Sequence, residues 1–199
     1  SGYSGTGGVV GLNAGLVYNC SLNQHFGSAT LNYIGGIAGV NVGLTGTSAS
    51  KTYVIGTGTS ATGIEYTAGT IQNCTTLQNK TISGSSNVGG IVGWNLNDAV
   101  LSENTSNANI SASGKENIGG FAGRNNGIIK VASDSKNIAR NVTAGNASGV
   151  GGLVGLNEEN GTIKVSGAGG TNGEIVTVGS GVSISGSTRV GGIVGINHG

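Results

Sequence analysis

The sequence predicts an all-β protein, a parallel β-solenoid of about six to seven coils with three short strands in each coil. Three observations support this prediction: a composition typical of β structure, a heptad that recurs along the chain, and two further elements that follow the heptad. A solenoid stacks short repeats so that each contacts only its neighbours, and a continuous core forms inside the stack. We expect a right-handed winding.

The composition favours strands and excludes several functional classes. Of 199 residues, 42 are Gly and none is Pro or Met, whereas average proteins contain about 7% Gly. Val, Ile and Thr, which favour strands, are plentiful, and charged residues make up only 9% with a net charge of +1. That balance gives no electrostatic footprint for nucleic acid, and no apolar run approaches the ~18 residues of a membrane span. We therefore expect neither nucleic-acid binding nor membrane insertion.

The recurring heptad begins with two glycines and ends with asparagine. Its copies are "GGVVGLN" (7–13), "GGIAGVN" (35–41), "GGIVGWN" (89–95), "GGFAGRN" (119–125), "GGLVGLN" (151–157) and "GGIVGIN" (191–197). Their starts are 28, 54, 30, 32 and 40 residues apart. The interval of 54 is close to twice the others, and "TAGTIQNCT" (67–75) inside it repeats the "NAGLVYNCS" (13–21) that follows the first heptad. We therefore predict a degraded copy at "ATGIEYT" (61–67) that forms a coil of its own.

Two more strand-sized elements follow the heptad. One is typified by "GTIKV" (161–165) and the other by "ISGS" (184–187), with Gly, Asn and Ser between them as turn residues. Residues 1–199 are predicted to form a single solenoid module, an excerpt of a longer repetitive protein. The last repeat, 158–190, is longer and irregular, and we expect a hairpin-like protrusion around 169–178.

Stacking should align the last heptad residue of successive coils at ~4.8 Å spacing. Six copies carry Asn there, and their side-chain amides can hydrogen-bond from coil to coil. The predicted Asn ladder comprises Asn13, Asn41, Asn95, Asn125, Asn157 and Asn197. Thr67 occupies this place in the degraded copy, so we expect a gap in the ladder there.

The orientation of the heptad is ambiguous. The fourth place, Val92 and its equivalents, is consistently apolar, and we assign it to the core. Strict alternation then turns the third place outward as an exposed apolar rib, a possible contact surface. The rib would comprise Val9, Ile37, Ile91, Phe121, Leu153 and Ile193. The alternative is that both faces are covered, or that a bulge turns the rib inward. Trp94, at the variable sixth place, is either buried filler or an exposed contact.

We predict no catalytic, cofactor-binding or metal site. The glycine-rich heptads lack the helix that follows a phosphate-binding loop, and neither "CxxC" nor calcium-repeat spacing occurs. Cys20 and Cys74 hold equivalent places in coils that the spacing sets two steps apart. A separation of ~9.6 Å exceeds the ~7 Å limit between the Cα atoms of a disulfide, so we expect two free thiols.

The motifs resemble a known repeat. "GTIQNCTTLQNKTISGSSNVGGIVGWN" (69–95) is similar to the GLUG repeat, which occurs in large secreted or surface-anchored bacterial proteins. These include adhesin-like proteins and the non-catalytic regions of immunoglobulin A peptidases. The resemblance covers essentially the whole chain and implies an extracellular or cell-surface location and a non-enzymatic role. The zinc signature "HExxH" of those peptidases is absent.

Fold and resemblance together favour a structural or adhesive module that acts as a stiff spacer or a binding scaffold. The expected partner is a protein or glycan on a host or neighbouring cell, or a second copy stacked end to end. Two alternatives stay open. One is a self-assembling filament subunit. The other is a carbohydrate-binding or carbohydrate-active β-helix, which would need a groove lined by carboxylates or aromatic rings.

Overall fold

A computed structural model describes residues 5–43, 51–55, 62–67, 69–132, 137–138, 140–166 and 177–199. All regular elements in these ranges are β-strands. None of these residues belongs to a helix with the length and apolar character needed to cross a membrane. The protrusion expected around 169–178 falls mostly within 167–176, which lies outside the described residues.

Four parallel sheets run the length of the molecule. Sheet I holds the strands that lead into the double glycine: Thr6–Gly7, Ile34–Gly35, Val88–Gly89, Glu116–Gly119, Ser148–Gly151 and Thr188–Gly191. Sheet II holds the second half of each heptad: Val10–Asn13, Ala38–Val42, Val92–Leu96, Ala122–Asn125, Val154–Asn157 and Val194–Asn197. Sheet III contains Leu16–Tyr18, Thr70–Gln72, Val100–Ser106, Ile128–Ala132 and Thr162–Ser166. Sheet IV contains Phe26–Gly27, Thr81–Gly84, Asn109–Ala112, Val142–Thr143 and Ile184–Ser185.

Shorter pairings complete the coils between sheets III and IV. Ser21–Leu22 pairs with Thr75–Thr76, and Thr75–Thr76 also pairs with the last two residues of Val100–Ser106. Asn137–Ile138 pairs with Thr177–Val178, again in parallel. Each coil therefore passes through sheets I, II, III and IV in turn, and the sixth coil ends in sheet II. This arrangement confirms the predicted all-β parallel solenoid.

The heptad stretch supplies two strands instead of one, because the double glycine turns a corner. A Cβ built on Gly35 would lie 1.9 Å from the carbonyl oxygen of Ala38, so only glycine fits at the first position. A Cβ on Gly36 would lie 2.3 Å from the carbonyl oxygen of Gly90 in the next coil. The first glycine thus closes the turn, and the second lets successive coils approach closely. Each coil consequently has four main strands, one more than the sequence predicted.

The degraded heptad copy does not form a coil, which corrects the sequence-based expectation. Ile34 pairs directly with Val88, and Leu16 pairs directly with Thr70. Thr62–Tyr66, which contains most of that copy, pairs antiparallel with Lys51–Ile55. The interval of 54 residues is therefore one coil with a hairpin inserted in it. The parallel edges that a further coil would need are already occupied by the neighbouring coils.

The core includes aliphatic columns from sheets I, III and IV. Sheet I contributes Ile34, Val88, Ile118 and Val150; sheet III contributes Ile71, Leu101 and Ile129; and sheet IV contributes Ile82, Ile110 and Val142, all at most 1% exposed. In-register pairing places equivalent residues directly above one another. The columns therefore form one continuous core along the stack.

The exposed apolar rib predicted from alternation is wrong. Ile37, Ile91, Phe121 and Leu153 are at most 4% exposed. Only Val9 in the first coil is 43% exposed, and Ile193 in the last is partly buried against the core.

The physical reason is the corner between sheets I and II, because the third heptad residue lies between the two strands and not inside one of them. The amides of Ile91 and Val92 both donate to the carbonyl oxygen of Phe121, at 2.8 and 3.1 Å. The same paired donation recurs where the other coils meet. Two amides that share one acceptor interrupt the alternation of side chains, so both residues point into the core.

Candidate functional site

The six ladder asparagines form an unbroken chain of side-chain hydrogen bonds. The Nδ2 of each of the first five donates to the Oδ1 of the asparagine in the following coil at 2.8–2.9 Å. Asn41 donates directly to Asn95, so the gap expected at Thr67 does not exist. Thr67 lies beside the inserted hairpin and not in the stack.

Each ladder amide also closes the corner between sheets II and III. The second hydrogen of Asn95 Nδ2 goes to the carbonyl oxygen of Ala99 at 3.1 Å, and that of Asn41 goes to Gly69 at 2.7 Å. Asn41, Asn95 and Asn125 are fully buried. Because their donors are all used within the protein, the Asn ladder is a structural device and offers no group to a ligand.

The outer surface of sheet II carries an aromatic and charged cluster, which we call the Trp94 patch: Tyr33, Trp94, Arg124 and Glu158. Tyr33 stacks on Trp94 with ring centroids 5.5 Å apart and planes 20° apart. The Arg124 guanidinium carbon lies 4.4 Å from the centre of the Trp94 ring. Tyr33 precedes a sheet I strand of the second coil, Trp94 belongs to the third and Arg124 to the fourth. The indole is therefore held between two neighbours and is neither core filler nor an open stacking platform.

Glu158 binds the other two polar groups of the Trp94 patch. Its Oε1 accepts the indole N–H of Trp94 at 3.0 Å and the Nε–H of Arg124 at 2.5 Å. Its Oε2 accepts from Arg124 Nη2 at 3.2 Å. This bidentate geometry makes the arginine–carboxylate pair stronger than one with a single hydrogen bond. The side chains are 30% and 19% exposed, so solvent screening limits the stability that the pair contributes.

A groove adjoins the Trp94 patch toward the last coil. It has a volume of about 560 Å³ and is lined by Glu116, Asn117, Arg124, Leu156, Arg189, Ile196 and His198. Leu156 and Ile196 occupy the same outward heptad place as Arg124, and Leu156 pairs in register with Arg124 on one side and with Ile196 on the other. The groove thus combines an apolar strip with guanidinium, carboxylate and imidazole groups. Such a mixture suits a ligand with both polar and apolar surface.

A second depression lies beside the inserted hairpin. It measures about 310 Å³ and is lined by Tyr66, Thr67, Thr70, Gln72, Val100, Ser102 and Lys130. Its walls come from the hairpin and from the outer surface of sheet III. Across the described ranges, no three His, Cys, Asp or Glu side chains cluster closely enough to hold a metal ion.

The cysteines lie in neighbouring coils, and not two coils apart as the sequence spacing suggested. Residues on either side of them pair directly, Tyr18 with Gln72 and Ser21 with Thr75. The Cys20 amide donates to Cys74 Sγ at 3.4 Å. The expected separation was wrong because the 54 residues between the cysteines span one coil. Both thiols are free, and burial raises the pKa of Cys74 to about 11.

Sequence reasoning singled out Trp94 at the variable sixth heptad place, but it missed Tyr33 and Glu158. The position of Glu158 could have been inferred from the sequence, since it directly follows Asn157, the ladder asparagine of its heptad. The position of Tyr33 could not, because it depends on a left-handed backbone (φ 52°) that few non-glycine residues adopt. Comparison of the chain with family models, curated proteins and solved structures finds no match.

Proposed function

We propose that this chain is a stiff spacer and binding scaffold, a structural or adhesive module of an extracellular bacterial surface protein. The continuous Asn ladder is the observation that carries the proposal, since it joins the six coils by hydrogen bonds that are buried in every step except the last. Five steps of ~4.8 Å extend the stack over about 24 Å. The GLUG resemblance supports the extracellular and bacterial parts of the proposal.

The contact surface of this scaffold is the Trp94 patch with its adjoining groove. The apolar rib cannot serve, because it is in the core. The patch is rigid, since Glu158 fixes both Trp94 and Arg124, and a rigid surface loses little conformational entropy on binding. Arg189 in the groove is exposed and adds a cationic group. The expected partner is a glycan or protein surface with acidic groups, on a host or neighbouring cell.

The test is binding of the labelled full chain to a glycan array and to cultured epithelial cells. We expect Arg189→Ala to reduce binding several-fold. Lys164→Ala removes a cation that is also exposed but lies on sheet III, and it should leave binding unchanged. Equal loss in both variants would indicate non-specific charge attraction. Turnover of a polysaccharide by the purified chain would contradict the proposal and favour the carbohydrate-active alternative.

End-to-end association is a second candidate function, favoured by exposed apolar residues near both ends of the stack. The large exposed apolar residues include Val9 and Leu12 in the first coil, Val178 in the fifth and Val190 in the sixth, 40–46% exposed. Parallel sheet edges with unpaired backbone groups are templates for pairing with another chain. Sedimentation velocity over a range of concentrations tests this candidate. Concentration-dependent filaments that Val190→Lys abolishes would support it, and a monomer at every concentration would exclude it.

A further inference from the structure

We propose that Cys20 and Cys74 form a disulfide bond that joins the first coil to the second in an oxidising environment. The proposal is independent of the binding role, because it concerns the stacking of two coils and not the outer surface of sheet II. It makes this pair a site of covalent modification between coils that otherwise associate through noncovalent contacts.

Backbone register places the two cysteines opposite each other. Tyr18 pairs with Gln72 on one side of them, and Ser21 pairs with Thr75 on the other. Each cysteine follows an asparagine with a left-handed backbone of φ 53°, so the two turns have the same shape. Neighbouring strands are ~4.8 Å apart, which falls within the 4.4–6.8 Å range of Cα separations that disulfides require.

The sulfur atoms lie on the same side of the turn. Cys74 Sγ accepts the amide hydrogen of Cys20 at 3.4 Å and lies 3.8 Å from the carbonyl oxygen of Val17, so it leans toward the first coil. Cys20 Sγ lies 3.4 Å from the carbonyl oxygen of Tyr18. Formation of the bond requires Cys20 Sγ to leave this contact and turn toward Cys74 Sγ. Cys20 is only half-buried, which leaves room for that movement.

Oxidised glutathione can act as the oxidant. The thiolate of Cys20, the more accessible of the two, attacks one sulfur of oxidised glutathione, forms a mixed disulfide and releases one glutathione thiolate. Cys74 then loses its proton and attacks the Cys20 sulfur, which forms the protein disulfide and releases the second glutathione. Two protein thiols are oxidised and one glutathione disulfide is reduced to two thiols, so atoms and electrons balance.

The bond would close a loop of the chain that contains the inserted hairpin. The hairpin strands Lys51–Ile55 and Thr62–Tyr66 lie in the chain between the two cysteines. A disulfide across a loop of this length restricts the unfolded chain more than one across a short loop. The bond therefore ties the first coil to the part of the second coil that follows the inserted hairpin.

The experiment incubates the full chain with oxidised and reduced glutathione, blocks free thiols with iodoacetamide and measures the intact mass. We expect a monomer that has lost two hydrogen masses, takes up no iodoacetamide and unfolds at a higher denaturant concentration than the reduced chain. Cys20→Ser and Cys74→Ser are matched controls that should each keep one alkylatable or glutathionylated thiol. Two alkylated thiols, glutathione retained on Cys20, or only intermolecular dimers in the unsubstituted chain would each overturn the proposal.

Discussion

The side-chain amide of Asn41 donates to Asn95 at 2.9 Å, although 54 residues separate the two in sequence. This contact shows that the second and third heptads occupy adjacent coils. The insertion between them leaves the stack as a hairpin and returns at the same corner, where Asn41 Nδ2 also donates to the carbonyl oxygen of Gly69. The stack thus tolerates a long insertion without losing register.

Removal of the insertion should therefore leave the stack intact. Deletion of residues 43–68 joins Val42 to Gly69, which reproduces the Asn-x-Gly corner of Asn125 to Gly127, and it gives the second coil the 28-residue spacing of the first. We expect the free energy of unfolding to change by no more than about 1 kcal/mol, because loop length contributes weakly to stability. Urea denaturation measures this. A shortened chain that fails to fold would show that the hairpin itself is part of the core structure.

Loss of a central ladder residue should be costly. Asn95→Ala leaves the Asn41 donor and the Asn125 and Ala99 acceptors without their partner in a buried site. We expect a loss of about 2–4 kcal/mol in the free energy of unfolding, since buried polar groups without partners are expensive. Asn197→Ala at the exposed end of the ladder is the control, with an expected loss below about 1 kcal/mol. Equal effects at both ends would contradict a ladder stabilised by burial.

The second glycine of the heptad should not accept even one methyl group. A Cβ at Gly90 would lie 1.9 Å from Ser106 Oγ and 2.2 Å from the carbonyl oxygen of Gly120. Gly90→Ala should therefore lower the free energy of unfolding by about 3 kcal/mol or more, because the coils must move apart. Gly145→Ala is the matched control, since nothing lies within 4 Å of its Cβ position. Thermal unfolding of both variants decides the point, and a stable Gly90→Ala protein would be inconsistent with this coil spacing.

Substitutions at the third heptad place should lower the stability of the fold in proportion to burial, because this place lies in the core and not on a contact surface. Ile91 is fully buried and Val9 is 43% exposed. We expect Ile91→Ala to lower the free energy of unfolding by about 2–5 kcal/mol, and Val9→Ala by less than about 1 kcal/mol. Denaturant titration provides the measurement. A folded and equally stable Ile91→Ala variant would support the exposed apolar rib that the sequence predicted.

Alkaline pH should destabilise the reduced chain through Cys74. Burial raises the pKa of this thiol from its ordinary value of 9.0 to about 11. Between these values the unfolded chain ionises while the folded chain stays neutral, so stability that is complete below pH 9 is lost as pH rises toward 11. We expect Cys74 to account for a decrease of roughly 2 kcal/mol over this range.

Urea titrations in reducing agent at several pH values between 9 and 11 test this prediction by comparing how the free energy of unfolding of each variant decreases with pH. Cys74→Ala should show a shallower decrease than the unsubstituted chain, and Cys20→Ala should retain most of the steep decrease. Identical slopes for all three proteins would mean that Cys74 ionises as readily in the folded as in the unfolded chain.

The sequence by itself determined the parallel solenoid and the in-register stacking of the heptads on either side of the 54-residue interval. Glycine pairs and a terminal asparagine, recurring at coil length, are consistent with one geometry in which equivalent residues stack. The hydrogen bond from Asn95 to Asn125 and the need for Gly90 both follow from that alignment. The bond from Asn41 to Asn95 does not, because the sequence predicted a further coil between them.

Only the tertiary structure decided where the 54-residue interval belongs, which side of the heptad is buried and what surrounds Trp94. A repeat spacing cannot distinguish two coils from one coil with an insertion, because the choice depends on which strand edges are free. Alternation fails at Ile91 and Val92 because one carbonyl accepts from both amides. Tyr33 and Glu158 reach Trp94 from other coils, and such contacts depend on the three-dimensional stacking and not on any local pattern.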